Sequence, residues 1–508
     1  MGKKHSDKKK VNGKIKTALK TEKNLNAKQK KKLQAMGEED IEKVIAEIEK
    51  EEAQRQKVIE AAVDQPSRRV NFTLTPHPFK NELIMYGGEF YDGQNTTVYG
   101  DLFFYNLSKQ SWTVIKAPGA PPPRCGHQAL TIPNNKGEMW MFGGEFSSPS
   151  ESQFYHFRDL WVYRITEKKW EKIVASGGPS PRSGHRMVYM KKQLFIFSGF
   201  HDNLREYKYF NDLYKFDLTS YQWNKIEIYG NIPSPRSGCI FLPTPDNKLL
   251  VYGGYCKEKI KKNVDKGHIH SDMFILSPDK RDETNKKWKS AFVKQSGTKF
   301  SPRCSSTAVL IQPNIAYIFG GVYDNEDEEE LRGVFFNDLL VLDIEKYYWS
   351  IVKISNKNDK SQTIQKLIGD DDDDNNINMR CSTREDKSTP VVTVINDGIF
   401  TMTIGSATET SAIVQKNQTN TVIFSPSPRI NTGLVVKDNA LYLYGGLYED
   451  GDCQYTLNDF YSLDLHKLNE WHTIIKNDIS SHVWLDSESS TSESYNDDSY
   501  SDDSDDNL

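Results

Sequence analysis

Residues 83–88 read LIMYGG, an apolar run that closes on two glycines. Asp101 then opens a second apolar run, and Trp112 ends it. The same order recurs down the chain. Gly143–Gly144 leads to Asp159 and Trp170, Ser198–Gly199 to Asp212 and Trp223, and Gly253–Gly254 to Asp272 and Trp288. Gly320–Gly321 leads to Asp338 and Trp349, and Gly445–Gly446 to Asp459 and Trp471. Aspartate to tryptophan is 11 residues in four copies, 12 in the last and 16 in the fourth. The pairs themselves lie 56, 55, 55, 67 and 125 residues apart. Six copies at a period near 50 residues predict a β-propeller with one blade per copy. A single blade cannot bury both faces, so its neighbours must stack on it.

Each copy offers four strands. In the third they are Met187–Met190, Leu194–Phe197, Leu213–Leu218 and Trp223–Ile228, rich in β-branched and aromatic residues and parted by short turns. A glycine at the end of the second strand lets the chain turn at positive φ and another backbone come close. The repeated aspartate is expected to cap the turn before the third strand by accepting backbone N–H bonds. The tryptophan of the outer strand is expected to fill the wedge between twisted blades, burying about 150–250 Å².

An arginine introduces every copy: PSRR at 66–69, PPPR at 121–124, and SPR ending at Arg182, Arg236, Arg303 and Arg429. It falls 16 to 19 residues before its glycine pair each time. Proline suits a loop rather than a central strand, so the arginine opens the innermost strand of a new blade. Arg69, Arg124, Arg182, Arg236, Arg303 and Arg429 are therefore expected near the central channel. Two readings stand for them: hydrogen bonds to neighbouring carbonyls, or contact with a ligand.

Glycine pair, downstream tryptophan and upstream PRSGH together resemble the kelch repeat, over about residues 66–476. PSRRVN (66–71) and residues 142–161, 251–274 and 451–460 resemble the kelch proteins that lack a BTB domain. The resemblance implies an all-β, six-bladed kelch β-propeller with a short N-terminal helix and disordered tails. Its blades would run 66–117, 118–175, 176–229, 230–294, 295–353 and 425–476. It also implies that the loops between glycine pair and aspartate share a face with the arginine-bearing loops, and that this face takes a protein partner. On those loops the third copy carries His201, Arg205 and Tyr207. The fourth carries Lys257, Lys259, Lys261, Lys262, His268 and His270, and the fifth is acidic over 324–330. Neighbouring loops of opposite sign would pair with each other or meet a partner. The segment before Pro66 is too short for a BTB and BACK pair.

The rest of the chain is plainer. Net charge is −4, but the ends are opposite in sign. Residues 1–37 are lysine-rich and read as a disordered tail, a nuclear-import signal or a phosphate contact. MGKKHS fits the loose myristoylation pattern at Gly2. Residues 38–60 predict a helix with Ile41, Val44, Ile45 and Ile48 on one stripe, docking on the propeller or on a partner. Within the insertion 354–424, VVTVINDGIFTMTI (391–404) predicts a hairpin around Asp397–Gly398. Residues 477–508 form an acidic, serine-rich tail.

No apolar run of 18 residues and no apolar leader is present, so neither a membrane span nor secretion is expected. The six cysteines lack C-x-x-C pairing and read as reduced thiols of a cytoplasmic or nuclear protein. His268 and His270, with Asp265 and Asp272 near, lack a third ligand set by spacing. The iron-binding E-x-x-x-D-x-x-x-H run of some kelch-like propellers is absent, and so is a Walker loop. No cofactor and no metal is expected. The sequence thus points to a monomeric, non-enzymatic scaffold binding a protein of unknown identity. Nucleic acid would bind only through the basic tail. Alternatives are a substrate receptor of a ubiquitin ligase, an escort for a basic client, and a metal-dependent kelch-type enzyme.

Overall fold

The computed structural model describes residues 40–203, 207–261, 264–327, 330–354, 393–396, 401–404, 424–450 and 453–476. The basic and acidic tails, Arg205 and Lys262 lie outside these, as do most of the insertion and the Asp397–Gly398 turn. The chain divides into two units, residues 355–424 and the remainder. In the smaller unit, Thr393–Asn396 pairs antiparallel with Thr401–Ile404. Among its described residues the larger unit is all-β apart from one α-helix and one turn of 3-10 helix, in a β-propeller arrangement.

Its second repeat shows the basic sheet. Gln128–Ile132, Glu138–Phe142, Leu160–Arg164 and Lys169–Ile173 pair antiparallel in chain order. The last repeat repeats this order with longer middle strands, Ala440–Asp450 and Cys453–Asp464. The third and fourth repeats share one eight-stranded sheet, because Gln222–Gly230 runs parallel to Lys287–Phe292 and joins their outer edges. The fifth gains a two-residue strand, Ser296–Gly297. The first gains Ile59–Val63, which pairs with Ser111–Lys116. Among the described residues the N-terminal segment thus extends the first sheet and lends no strand to the last.

Stacking follows one rule. Each tryptophan packs on an aromatic ring of the preceding repeat: Trp170 on Tyr86, Trp223 on Phe142, Trp288 on Phe195, Trp349 on Tyr252 and Trp471 on Phe319, with centroids 4.9–6.1 Å apart. Trp112 of the first repeat packs on Tyr444 of the last at 5.6 Å. The apolar clusters obey the same rule, one of them joining Phe72, Met85 and Trp112 to Val435, Tyr444 and Phe460. In five of the six contacts the receiving ring precedes the glycine pair directly, so the repeat signature encodes the socket as well as the plug.

The helix, α1, spans Ile41–Gln54, with the Asp40 carboxylate accepting from Glu42 N–H at its start. Ile41 and Ile45 are buried against Phe157, beside Phe146 and Tyr155 of the second repeat. The Ile41 N–H donates to Gln153 Oε1 at 3.1 Å, and Lys172 meets Glu49 at 3.1 Å. Of the two expectations for this amphipathic stripe, docking on the propeller is the one realised. Among the described residues no helix is long and apolar enough to cross a membrane.

Candidate functional site: the hairpin face

The six motif arginines are buried, with relative exposures of 0–5%. Each is held by its own repeat. One Nη donates to the carbonyl of the first residue of the glycine pair, at 3.0–3.3 Å. Nε donates to the carbonyl two residues upstream. The guanidinium also meets the repeated aspartate: Arg124–Asp159 at 2.7 Å, Arg182–Asp212 at 2.6 Å, Arg236–Asp272 and Arg429–Asp459 at 2.5 Å, and Arg303–Asp338. Arg69–Asp101 is looser, at 3.5 Å. Arg124, Arg182 and Arg303 lie over Phe157, Phe210 and Phe336, each two residues before the aspartate.

Two expectations change here. The aspartate is not a cap for the next turn but the arginine's counter-charge, because a buried guanidinium needs one. The arginine side chains also do not line the channel. The channel wall begins two residues later, at Asn71, Gly126, Gly184, Gly238, Ser305 and Asn431. The aromatic-x-Asp pairing was legible in the sequence, since Tyr99, Phe157, Phe210 and Phe336 stand at the same offset.

The segments after the glycine pairs are hairpins rather than open loops. Glu89–Tyr91 pairs with Thr96–Val98, Glu145–Ser147 with Phe154–His156, and Phe200–Asp202 with Tyr207–Tyr209. Val322–Asp327 pairs with Glu330–Phe335. In the fourth and sixth repeats the middle strands themselves run on into ribbons. All six leave their sheets at one end, because the residue after each motif arginine bridges to the hairpin's base: Val70 to Glu89, Cys125 to Glu145, Ser183 to Phe200, Ser237 to Tyr255, Cys304 to Val322 and Ile430 to Leu447. The second glycine makes this approach possible. At Gly144 (φ +94°) an added Cβ would lie 2.7 Å from Cys125 O.

The third hairpin and the fourth ribbon bring several expected residues together. Tyr207 donates to Asp265 at 2.8 Å, and Lys257 meets the same carboxylate at 3.4 Å while lying over the Tyr207 ring. Lys259 and His268 are exposed, and Lys261 lies on the ribbon strand. His270 is buried, its ring 4.5 Å from His268 and its Nε2 3.3 Å from Cys256 Sγ. Burial, with Arg236 beside it, pushes His270 down to about 4, so it is neutral at neutral pH. His201 is half-buried against His156, centroids 4.6 Å apart. The fourth segment is a ribbon whose Lys257 pairs with its own Asp265.

A second group had no counterpart in the sequence reading. GGEF occurs twice, and Glu89 and Glu145 occupy the same place in the first two hairpins. Asn71 donates to Glu89 Oε1 at 2.6 Å, and the Cys125 thiol to Oε2 at 3.1 Å. Glu145 lies 3.4 Å from His156, which is neutral because burial pushes it down to about 3. Burial first, and Glu89 second, push the Glu145 carboxyl up to about 8. The inner strands enclose a channel of about 620 Å³ that Glu145, His127 and Arg186 help to line. Among the described residues no three His, Cys, Asp or Glu side chains are placed to hold a metal ion.

Comparison with known proteins places this geometry. The family model for the KLHDC2/KLHL20/DRC7 Kelch-repeats domain matches residues 71–290 and 159–372. Acyl-CoA-binding domain-containing protein 5 of Arabidopsis thaliana is 30% identical over 190 residues, covering 37% of this chain and 27% of that protein. Host cell factor of Drosophila melanogaster is 25% identical over 300 residues, 54% of this chain and 18% of that protein. The leucine-zipper-like transcriptional regulator 1 homolog of the same organism is 24% identical over 287 residues, 55% and 26%. The chain therefore spans less than a third of the length of these relatives. The solved structure of YjhT shares 14% identity, with 81% of this chain and 98% of that one covered and a TM-score of 0.45.

Proposed function

The chain belongs to the kelch-repeat family, whose propellers are protein-interaction scaffolds, and from that premise we propose a non-enzymatic, six-bladed scaffold that holds a protein partner on its hairpin face. The observation that carries this reading is the common origin of the hairpins at the arginine end of their sheets. Contacts between neighbours support one continuous surface. Thr96 donates to Glu151 at 2.7 Å, His156 accepts from Asp202 N–H at 3.0 Å, Tyr209 meets Tyr255, and Phe335 meets Tyr448. Tyrosines and cations at such a face supply the anchors that interfaces favour.

The six arginines are assigned to the fold and not to the partner, because each guanidinium is consumed by its own repeat. The six-blade count is favoured by the cyclic tryptophan contacts, which return from the last repeat to the first. The non-enzymatic reading is supported by the state of the buried groups. His127, His156 and His270 are held neutral, and burial raises the Cys125 and Cys256 thiols, so neither thiol is poised as a nucleophile. Five thiols without disulfides among the described residues favour a reducing compartment, cytoplasm or nucleus.

The test is charge reversal at Lys257 and Lys259 with the melting temperature checked. Exposed charges change stability by about 0.5 kcal/mol or less. We expect an unchanged melt and at least a tenfold loss of partner capture, with a weaker salt dependence of whatever remains. An unchanged partner set at physiological salt removes the ribbon from the site.

A further inference from the structure

Two of the six hairpins carry a pair of aromatic rings at the same place, and the one α-helix among the described residues covers the first of them. Phe146, two residues after Gly144, stands opposite Tyr155 on the second hairpin. Tyr448, two residues after Gly446, stands opposite Tyr455 on the sixth. The other four put Phe90 opposite Thr97, His201 opposite Lys208, Cys256 opposite His268 and Tyr323 opposite Val334. The second hairpin's rings, with Phe157 at their base, receive Ile41 and Ile45 of α1, one turn apart. α1 is acidic, with five glutamates against two lysines, and its Glu49 meets Lys172 at 3.1 Å.

The sixth hairpin sets its rings among opposite charges. Tyr448 and Tyr455 are stacked at 6.1 Å and half-buried, Phe335 of the fifth hairpin lies 5.5 Å from Tyr448, and buried Leu457 takes the place of Phe157. Beyond the rings, exposed Glu449 and Asp450 stand where the second hairpin has Ser147 and Ser148. The neighbouring fifth hairpin is acidic over 324–330. We propose that Phe335, Tyr448 and Tyr455 form a docking site for a basic amphipathic helix of the protein partner. The second hairpin shows what such a pad takes, branched aliphatic side chains at i and i+4, the spacing by which helices seat on apolar surfaces. The carboxylates set the sign, because cations on the flanks of that helix, and the positive end of its dipole, gain from Glu449 and Asp450. This rests on the hairpin face being the partner-binding face, of which the sixth hairpin is a part.

The test titrates the full chain with three capped peptides at fixed ionic strength. The first has the α1 sequence of residues 41–54 with every glutamate changed to lysine, the second also has every isoleucine changed to serine, and the third is native α1. We expect wild type to bind the lysine peptide at least about tenfold more tightly than its serine control, since only the apolar stripe differs. Tyr448→Ser with Tyr455→Ser should lose that preference. Glu449→Lys with Asp450→Lys, which keeps the rings, should weaken the lysine peptide at least about threefold. Melting is followed for both, and if the tyrosine variant melts early the carboxylate variant carries the test. No preference in wild type, or undiminished binding of the lysine peptide in a folded variant, overturns the assignment. Native α1 bound as tightly as the lysine peptide, and lost in the tyrosine variant, would give the pad to a second copy of this chain and rule out a basic partner. Charge reversal at Lys257 and Lys259 leaves the peptide preference intact, so failure of the fourth ribbon and failure of this pad are told apart.

Discussion

Arg429 and Asp459 expose 0% and 2% of their side chains, whereas Asp101, the partner of Arg69, exposes 38%. One motif therefore spans two electrostatic regimes. Removing one member of a buried pair strands the other charge, at a cost of about 3–5 kcal/mol; Arg69 is buried too, but Asp101 is open to water and 3.5 Å away, and the Ser67 and Gly87 oxygens still hold the guanidinium, so that loss is smaller. Asp459→Asn should lower the denaturant midpoint severely and Asp101→Asn slightly; equal losses would show that the geometry does not set the energy. Glu145 makes a pH-dependent contribution. Its carboxyl is raised from 4.5 to about 8, so the folded chain keeps a proton that the unfolded chain releases. That contribution is complete below the unfolded value and is lost as pH rises toward 8, with a slope of at most about 1.4 kcal/mol per unit. Water reaches 18% of the side chain, so this slope is a ceiling. The groups facing it are Glu89, Glu151, Asp202, Ser183 and His156. Glu145→Gln should flatten the fall in stability between about pH 5 and 8, as followed by urea unfolding at each pH; an unchanged slope would assign it to another group.

Among the elements, the outer strands carry the clearest difference between pattern and environment. The sequence gives Trp170 and Trp223 the same role, but Trp170 is 2% exposed and Trp223 is half-buried. The strand of Trp223 continues to Gly230, where Glu227–Gly230 pairs with the fourth repeat. Trp170→Ala should cost about 3–5 kcal/mol and Trp223→Ala distinctly less, read as the shift in denaturant midpoint. Strand positions were legible because alternation and glycine pairs are local signals. The partner of each aspartate was not, because the arginine lies 30 to 36 residues upstream and only folding brings the two together. The hairpins were missed for a related reason. Polar, aromatic-rich segments such as 200–211 carry no strict alternation, and their pairing is fixed by the backbone bridge at their base. The helix was expected three residues too early and six too late, residues 59–60 belonging instead to the strand Ile59–Val63, and its docking place on Phe157 was beyond any local pattern.

For the molecule as a whole, the repeat period predicted the propeller, and the tryptophan contact from Trp112 to Tyr444 joins its ends. The candidate site was half legible. Lys257, Tyr207 and His268 come together on one ribbon and hairpin, while the six motif arginines are held within their own repeats and Arg186 and Glu145 line the channel. Amide hydrogen exchange of the full chain with and without its captured partner tests the assignment of function to that face. The account predicts slowed exchange across the hairpins, in 89–98, 145–156, 200–209, 255–270, 322–335 and 447–457. The outer strands 169–173 and 471–475 and helix 41–54 should be unchanged. Protection confined to those outer strands or to the helix, with the hairpins unaffected, would contradict it.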